Sequence, residues 1–184
     1  MPYQITRNNS FSNILRTILF AILTSIVILA CQDNTSDNHL EYSTSNDSTL
    51  HYYNLGWKQI MDDGFYGPAE VSYRKALTFD NGFLVGKATL ARLTLDLEER
   101  VKLFQDVELS KSKIKGAERK ILDVYQGLVH FTNVREQYPA KSKSVIDSVL
   151  VIAERNLRHI VHRYPEEIYL KSEYVEILNS TYGA

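Results

Sequence analysis

Cysteine is almost missing from this chain: Cys31 is the only one in 184 residues. A single thiol excludes an internal disulfide framework and any multi-thiolate metal site. Proline is scarce too; four prolines and eight glycines exclude collagen-like and proline-rich architectures. There is no excess of either charge. Lys plus Arg total 21 against 22 Asp plus Glu, a formal net charge of −1, so no basic surplus is available for nucleic acid. What is present, 44% hydrophobic and 23% charged residues, is enough for a packed core in one domain of ordinary size.

These averages hide an uneven chain. Residues 1–30 carry no acidic side chain, and Arg7 and Arg16 precede the uncharged run Ile18–Ala30 of thirteen residues. A spanning helix needs roughly 20 apolar residues, so the run is too short to cross a bilayer. A basic flank, a short apolar stretch and a small residue at its end form the pattern of a secretory signal peptide. A buried N-terminal helix is the poorer reading, because an all-round apolar stripe followed by a polar stretch has nothing to pack beside.

Ile28-Leu29-Ala30-Cys31 resembles the lipobox of bacterial lipoproteins, with Ile where Leu is usual at the first position. The resemblance implies cleavage after Ala30, acylation of Cys31 and anchoring by acyl chains rather than by a spanning helix. It places the protein in a bacterial cell envelope, at the outer membrane rather than the inner, with its domain in the periplasm or at the cell surface. Gln32, not Asp, follows the cysteine directly, which leaves outer-membrane transport open by the enterobacterial sorting pattern. The next stretch, through Leu50, is rich in Asn, Asp, Ser and Thr. It holds Asp33, Asp37, Glu41 and Asp47 and no basic residue. Residues 31–50 are therefore expected to form a polar, acidic, disordered tether.

From His51 to Ala184 apolar residues recur at three and four spacings, and no stretch alternates as a strand does. The spacing predicts helices over about 50–62, 67–79, 83–95, 98–109, 115–134, 142–163 and 166–181. Tyr138-Pro139 and Tyr164-Pro165 supply two of the stops, since proline disfavours helical geometry in the residue before it. The fold class is all-α.

Within this domain, Leu55-Gly56, Gly64, Tyr66, Ala69, Tyr73, Ala76-Leu77 and Phe79-Asp80-Asn81 resemble the tetratricopeptide (TPR) motif. Asn81 stands where that family usually has proline, and one residue is inserted before Gly64. Leu90-Ala91 begins a second copy 35 residues after Leu55-Gly56, with Leu103 and Val107 replacing small residues. Ala153, Leu157, Ile160 and Tyr164-Pro165 form a third second-helix pattern, and the stretch from Lys115 to Tyr125 is similar to divergent bacterial TPR proteins. The resemblance implies a short α-solenoid over 51–184, with about three degenerate repeats and a C-terminal helix. The competing reading is a generic helical bundle.

Chemistry-bearing clusters are few. His159 and His162 lie three apart on one helix, but a zinc site needs a third ligand and Arg158 and Arg163 oppose a cation. His130 reads as a core or edge residue. Asp62-Asp63, Glu98-Glu99 and Glu166-Glu167 fall at helix ends, and the last two pairs suit helix N-termini better than a catalytic cleft. No GxSxG, phosphate loop or Cys–His arrangement occurs. Lys111, Lys113, Lys115, Arg119 and Lys120 form the most basic window, read as a solvated turn because Ser110 and Ser112 interleave it.

These observations predict no catalysis, no metal and no cofactor. By resemblance to TPR proteins, whose first helices line a concave face, Tyr53, Lys58, Lys87 and Arg92 are candidate groove residues. The expected function is a noncatalytic, lipid-anchored scaffold or adaptor holding a protein or peptide partner in an envelope complex. The alternative is a glycan- or nutrient-binding lipoprotein of the starch-uptake type, and the third reading is a small envelope hydrolase.

Overall fold

The computed structural model describes residues 39–183. Ala30 and Cys31, and with them the signal peptide, lie outside the described residues. No strand occurs among those that are described, and the all-α expectation holds. Seven helices follow one another: α1 (Asp47–Met61), α2 (Tyr66–Phe79), α3 (Leu84–Leu93), α4 (Leu97–Ser110), α5 (Gly116–Gln137), α6 (Ser142–Arg163) and α7 (Ile168–Tyr182). Single 3₁₀ turns, Lys111–Lys113 and Pro139–Lys141, join α4 to α5 and α5 to α6.

Local chemistry sets several of these bounds. Asn46 Oδ1 accepts from the Thr49 amide at 3.1 Å, so α1 begins at Asp47, earlier than the apolar periodicity suggests. Asp96 Oδ1 caps α4 by accepting from the Glu98 and Glu99 amides at 2.9 and 3.1 Å. Gly64, at φ +70°, makes the turn out of α1 in a conformation that side chains resist.

Each helix packs on the next in the chain, and α3 also packs on α5. Close approach in the first hairpin depends on Gly56: a Cβ there would lie 2.6 Å from the Tyr73 ring. The same arrangement recurs between α5 and α6, where a Cβ on Gly127 would meet Val149 at 3.2 Å. Between them, Ala91 is fully buried on α3. These three small residues are spaced 35 and 36 apart.

The core is aromatic at one end and aliphatic at the other. Tyr53 contacts both Tyr73, at 5.7 Å, and Phe83, at 5.1 Å. Leu122, Ala153, Leu157 and Ile160 fill the space under α6. One cation is buried within it: Arg100 on α4 donates to Asn133 Oδ1 at 2.8 Å, to the Thr94 carbonyl at 3.2 Å and to Glu136. With its donors engaged, that charge cross-links α4 to the far end of α5.

The tether expected over 31–50 is corrected in its described part. Leu40 and Thr44 are buried against the helices, and residues 47–50 already belong to α1. Leu40, Tyr42 and Thr44 turn inward while Glu41, Ser43 and Ser45 stay exposed, an alternation that lets a polar segment bury an apolar edge.

Candidate functional site

The odd-numbered helices α1, α3, α5 and α7 bring a set of long side chains together. On α1 the stripe Tyr53, Gly56, Trp57, Ile60 follows three and four spacing, which turns Trp57 towards the same space as Arg92 of α3 and Tyr125 of α5. The Trp57 ring lies 6.2 Å from Tyr125 and stacks on Tyr169 of α7 at 6.1 Å, 11° from parallel. The Arg92 guanidinium is 4.5 Å from the Tyr125 ring centroid. Its Nη2 donates to both Glu173 oxygens, at 3.0 and 2.9 Å. Burial is the largest influence and pulls the Arg92 pKa down, but the Glu173 carboxylate together with Tyr125 and Tyr73 outweighs it, and the guanidinium is held above its ordinary value.

Beside this pair lies a cleft of about 410 Å³, walled by Trp57, Ile60, Met61 and Leu93, with Tyr66 and Glu176 at its edge. Glu176 is exposed and has no ion-pair partner among the described residues. Asp62, next to the same region, accepts from the Tyr169 hydroxyl at 3.4 Å. With Arg92 neutralised by Glu173, the free charge around the cleft is negative.

The second component is the extended strap of residues 39–45. The Tyr42 ring meets Tyr53 edge-on at 5.5 Å and Phe83, the residue before α3, at 5.6 Å. Ser43 donates its backbone N–H to Glu118 Oε2 and its hydroxyl to Oε1, both at 2.9 Å. His39 Nδ1 lies 3.8 Å from Glu167, just ahead of α7. The strap therefore touches residues of α1 and α5 and those preceding α3 and α7. Glu118 sits in the first turn of α5, is 6% exposed and has no cationic partner among the described residues. Burial raises its pKa, and the two Ser43 donors counter that only in part.

The four groove candidates have four different surroundings. Tyr53 is 1% exposed and lies beneath Tyr42 in the aromatic core, so it is not an open docking residue; the strap that covers it was expected to be free tether. Lys87 is directed elsewhere: its Nζ pairs with Asp106 of α4 at 3.2 Å beside a different cleft, of about 580 Å³, near Gly82 and Lys113. Arg92 does reach the inner surface, already paired. Lys58 is exposed and is brought together with none of the others.

Glu118, Glu173 and the strap were not singled out by sequence reasoning. The Leu40-Tyr42-Thr44 alternation was the available signal for the strap. His159 and His162 are exposed on α6, and His130 is exposed, stacked 5.9 Å from Phe104. Lys111 and Arg119 of the basic window are engaged, with Glu108 and Asp123. No cluster of three or more potential metal ligands occurs among the described residues, and no helix among them is long and apolar enough to cross a membrane. No family model, no curated protein and no solved structure matches the chain.

Proposed function

We propose that this is a lipid-anchored, noncatalytic scaffold of the bacterial envelope, whose TPR-like helix pairs hold a protein or peptide partner. The observation that carries the reading is the surface shared by α1, α3, α5 and α7. It has an apolar cleft of about 410 Å³ beside the closed Arg92–Glu173 pair and, at its edge, Glu176, which has no ion-pair partner among the described residues. Apolar walls with negative charge at the edge suit a peptide that offers an apolar side chain next to Lys or Arg. Small residues at Gly56, Ala91 and Gly127, spaced 35 and 36 apart, support the repeat reading, because helix pairs of a solenoid pack closely at a fixed period. Cys31 and the lipobox-like sequence before it supply the anchor, and the outer membrane is the destination we favour.

The glycan-binding alternative is less well supported. Trp57, the sole tryptophan, is 5% exposed and covered by Tyr169, so it offers no open ring face to a sugar.

Two experiments test the proposal. Tagged full-length protein, solubilised from membranes, is expected to co-purify with a stoichiometric protein partner. Recovery of the protein alone, with saturable oligosaccharide binding, overturns the scaffold. Metabolic labelling with a clickable fatty acid is expected to mark the wild type and not Cys31→Ala; equal labelling removes the anchor.

A further inference from the structure

The strap is attached in an unusual way for a segment of a folded domain. Among the described residues, no backbone-to-backbone hydrogen bond ties residues 39–45 to the helices. The inward side chains of Leu40, Tyr42 and Thr44 hold it, together with the double bond from Ser43 to Glu118. An extended chain whose alternate side chains fill pockets, while a main-chain N–H is captured by a fixed acceptor, is the arrangement by which peptides are bound.

Glu118 sharpens the point. A buried carboxylate is ordinarily paired with a cation or with hydrogen-bond donors of its own fold. Among the described residues, the donors to Glu118 come from Ser43 alone. Lifting the strap would take both of these donors from Glu118 and, with Tyr42, uncover the rings of Tyr53 and Phe83. A group in that position selects for whatever returns an N–H and a hydroxyl to it.

We propose that the surface beneath the strap is a binding site for an extended peptide, with residues 40–44 as its resident occupant. The partner that displaces them carries an apolar residue, an aromatic residue two positions later and Ser or Thr immediately after that. The apolar residue takes the place of Leu40, the aromatic ring that of Tyr42, and the Ser or Thr donates its N–H and hydroxyl to Glu118. The inference rests on the scaffold reading for the existence of a partner, whereas the site itself is tested with the strap's own sequence.

The probe is a fluorescein-labelled peptide of residues 38–46, titrated by anisotropy against full-length protein. The double variant Leu40→Ala/Tyr42→Ala, whose own strap is weakened, is expected to bind it at least tenfold more tightly than wild type. Adding Glu118→Gln to that variant, which places an amide donor where an acceptor is needed, is expected to reduce binding at least tenfold with helical circular dichroism retained. Binding no stronger than that of a scrambled peptide, or unaffected by Glu118→Gln, overturns the proposal.

Hydrogen exchange on the wild type gives a second reading that does not depend on how the double variant folds. The Ser43 amide is expected to be protected, and to lose protection in Glu118→Gln while the α5 amides keep theirs. Exchange of that amide at the free-peptide rate in wild type overturns the site. A partner captured equally by wild type and strap variant, without peptide binding, overturns this site and leaves the scaffold reading standing. Peptide binding without any captured partner does the reverse.

Discussion

Arg92 and Glu173 are 81 residues apart, yet one guanidinium nitrogen donates to both carboxylate oxygens across α3 and α7. The pair ties the last helix to the middle of the domain. Glu173→Ala leaves the guanidinium enclosed over Tyr125 without its counter-charge, and we expect a loss of about 3 kcal/mol in urea unfolding. The joint change Arg92→Met/Glu173→Leu removes both charges and should recover most of that loss. An additive double-mutant cycle would contradict the coupling.

Gly56 has no room for a side chain in the first hairpin. At Gly56 the added methyl would meet the Tyr73 ring at 2.6 Å, so overpacking of roughly 1–3 kcal/mol offsets or exceeds the gain in helix propensity of about 1 kcal/mol. The thermal midpoint should fall or stay level for Gly56→Ala. Tyr73→Leu, which removes the obstructing ring edge, should reduce the Gly56→Ala penalty.

The hydroxyls of Tyr73 and Tyr125 are buried with no hydrogen-bond partner among the described residues, and burial raises both pKa values. An unsatisfied polar group in a core destabilises it, while the ring around it contributes packing. Tyr73→Phe and Tyr125→Phe are expected to unfold at equal or higher urea concentration, by up to about 1 kcal/mol. Tyr73→Ala should lose about 3–5 kcal/mol. A Phe variant markedly less stable than wild type would mean that its hydroxyl is satisfied.

Two carboxylates set opposite pH dependences. Burial lifts Glu118 above its ordinary value of 4.5, so the folded state holds that proton more tightly than the unfolded one. Its contribution is therefore fully present below 4.5 and is lost as pH rises through the raised value. For Glu99, hydrogen bonds from Arg74 hold the pKa below 4.5, so its contribution is present above 4.5 and is lost as pH falls through the lowered value. In urea midpoints measured from pH 3 to 7, Glu118→Gln should flatten the profile above 4.5 and Glu99→Gln the profile below it. Exchanged effects would refute both assignments.

The helices were legible because each carries its own punctuation. Proline at 165 and the run Asp80-Asn81-Gly82 stop a helix whatever surrounds it, and the expected bounds of 142–163 match α6 as observed. The bounds shifted where tertiary or capping contacts decided. The Asn46 cap lengthened α1 at its start, and α5 continues to Gln137, where the backbone of Tyr138 leaves helical geometry before Pro139. The candidate site was much less legible. Arg92 was named, but its partner depends on where α7 lies in space, which no local pattern encodes. The strap was misread because its composition is that of a solvated linker. Only the placement of Leu40, Tyr42 and Thr44 at alternate positions distinguished it, and three residues are a weak signal against a background of Asn, Ser and Asp.

The strap joins α1 directly, and this raises the threshold for any rival. A segment joined by so short a connection is present at its own site at an effective concentration of about millimolar or above. A free peptide making the same contacts would have to reach that concentration to occupy half the sites. At the micromolar levels usual for a cellular protein it would find the surface closed. A partner must therefore make more contacts than residues 40–44 do, reaching the Trp57 cleft as well, or be held beside the protein on the same surface. Joined to its own occupant in this way, the domain responds to co-localised partners and is nearly silent towards dilute ones.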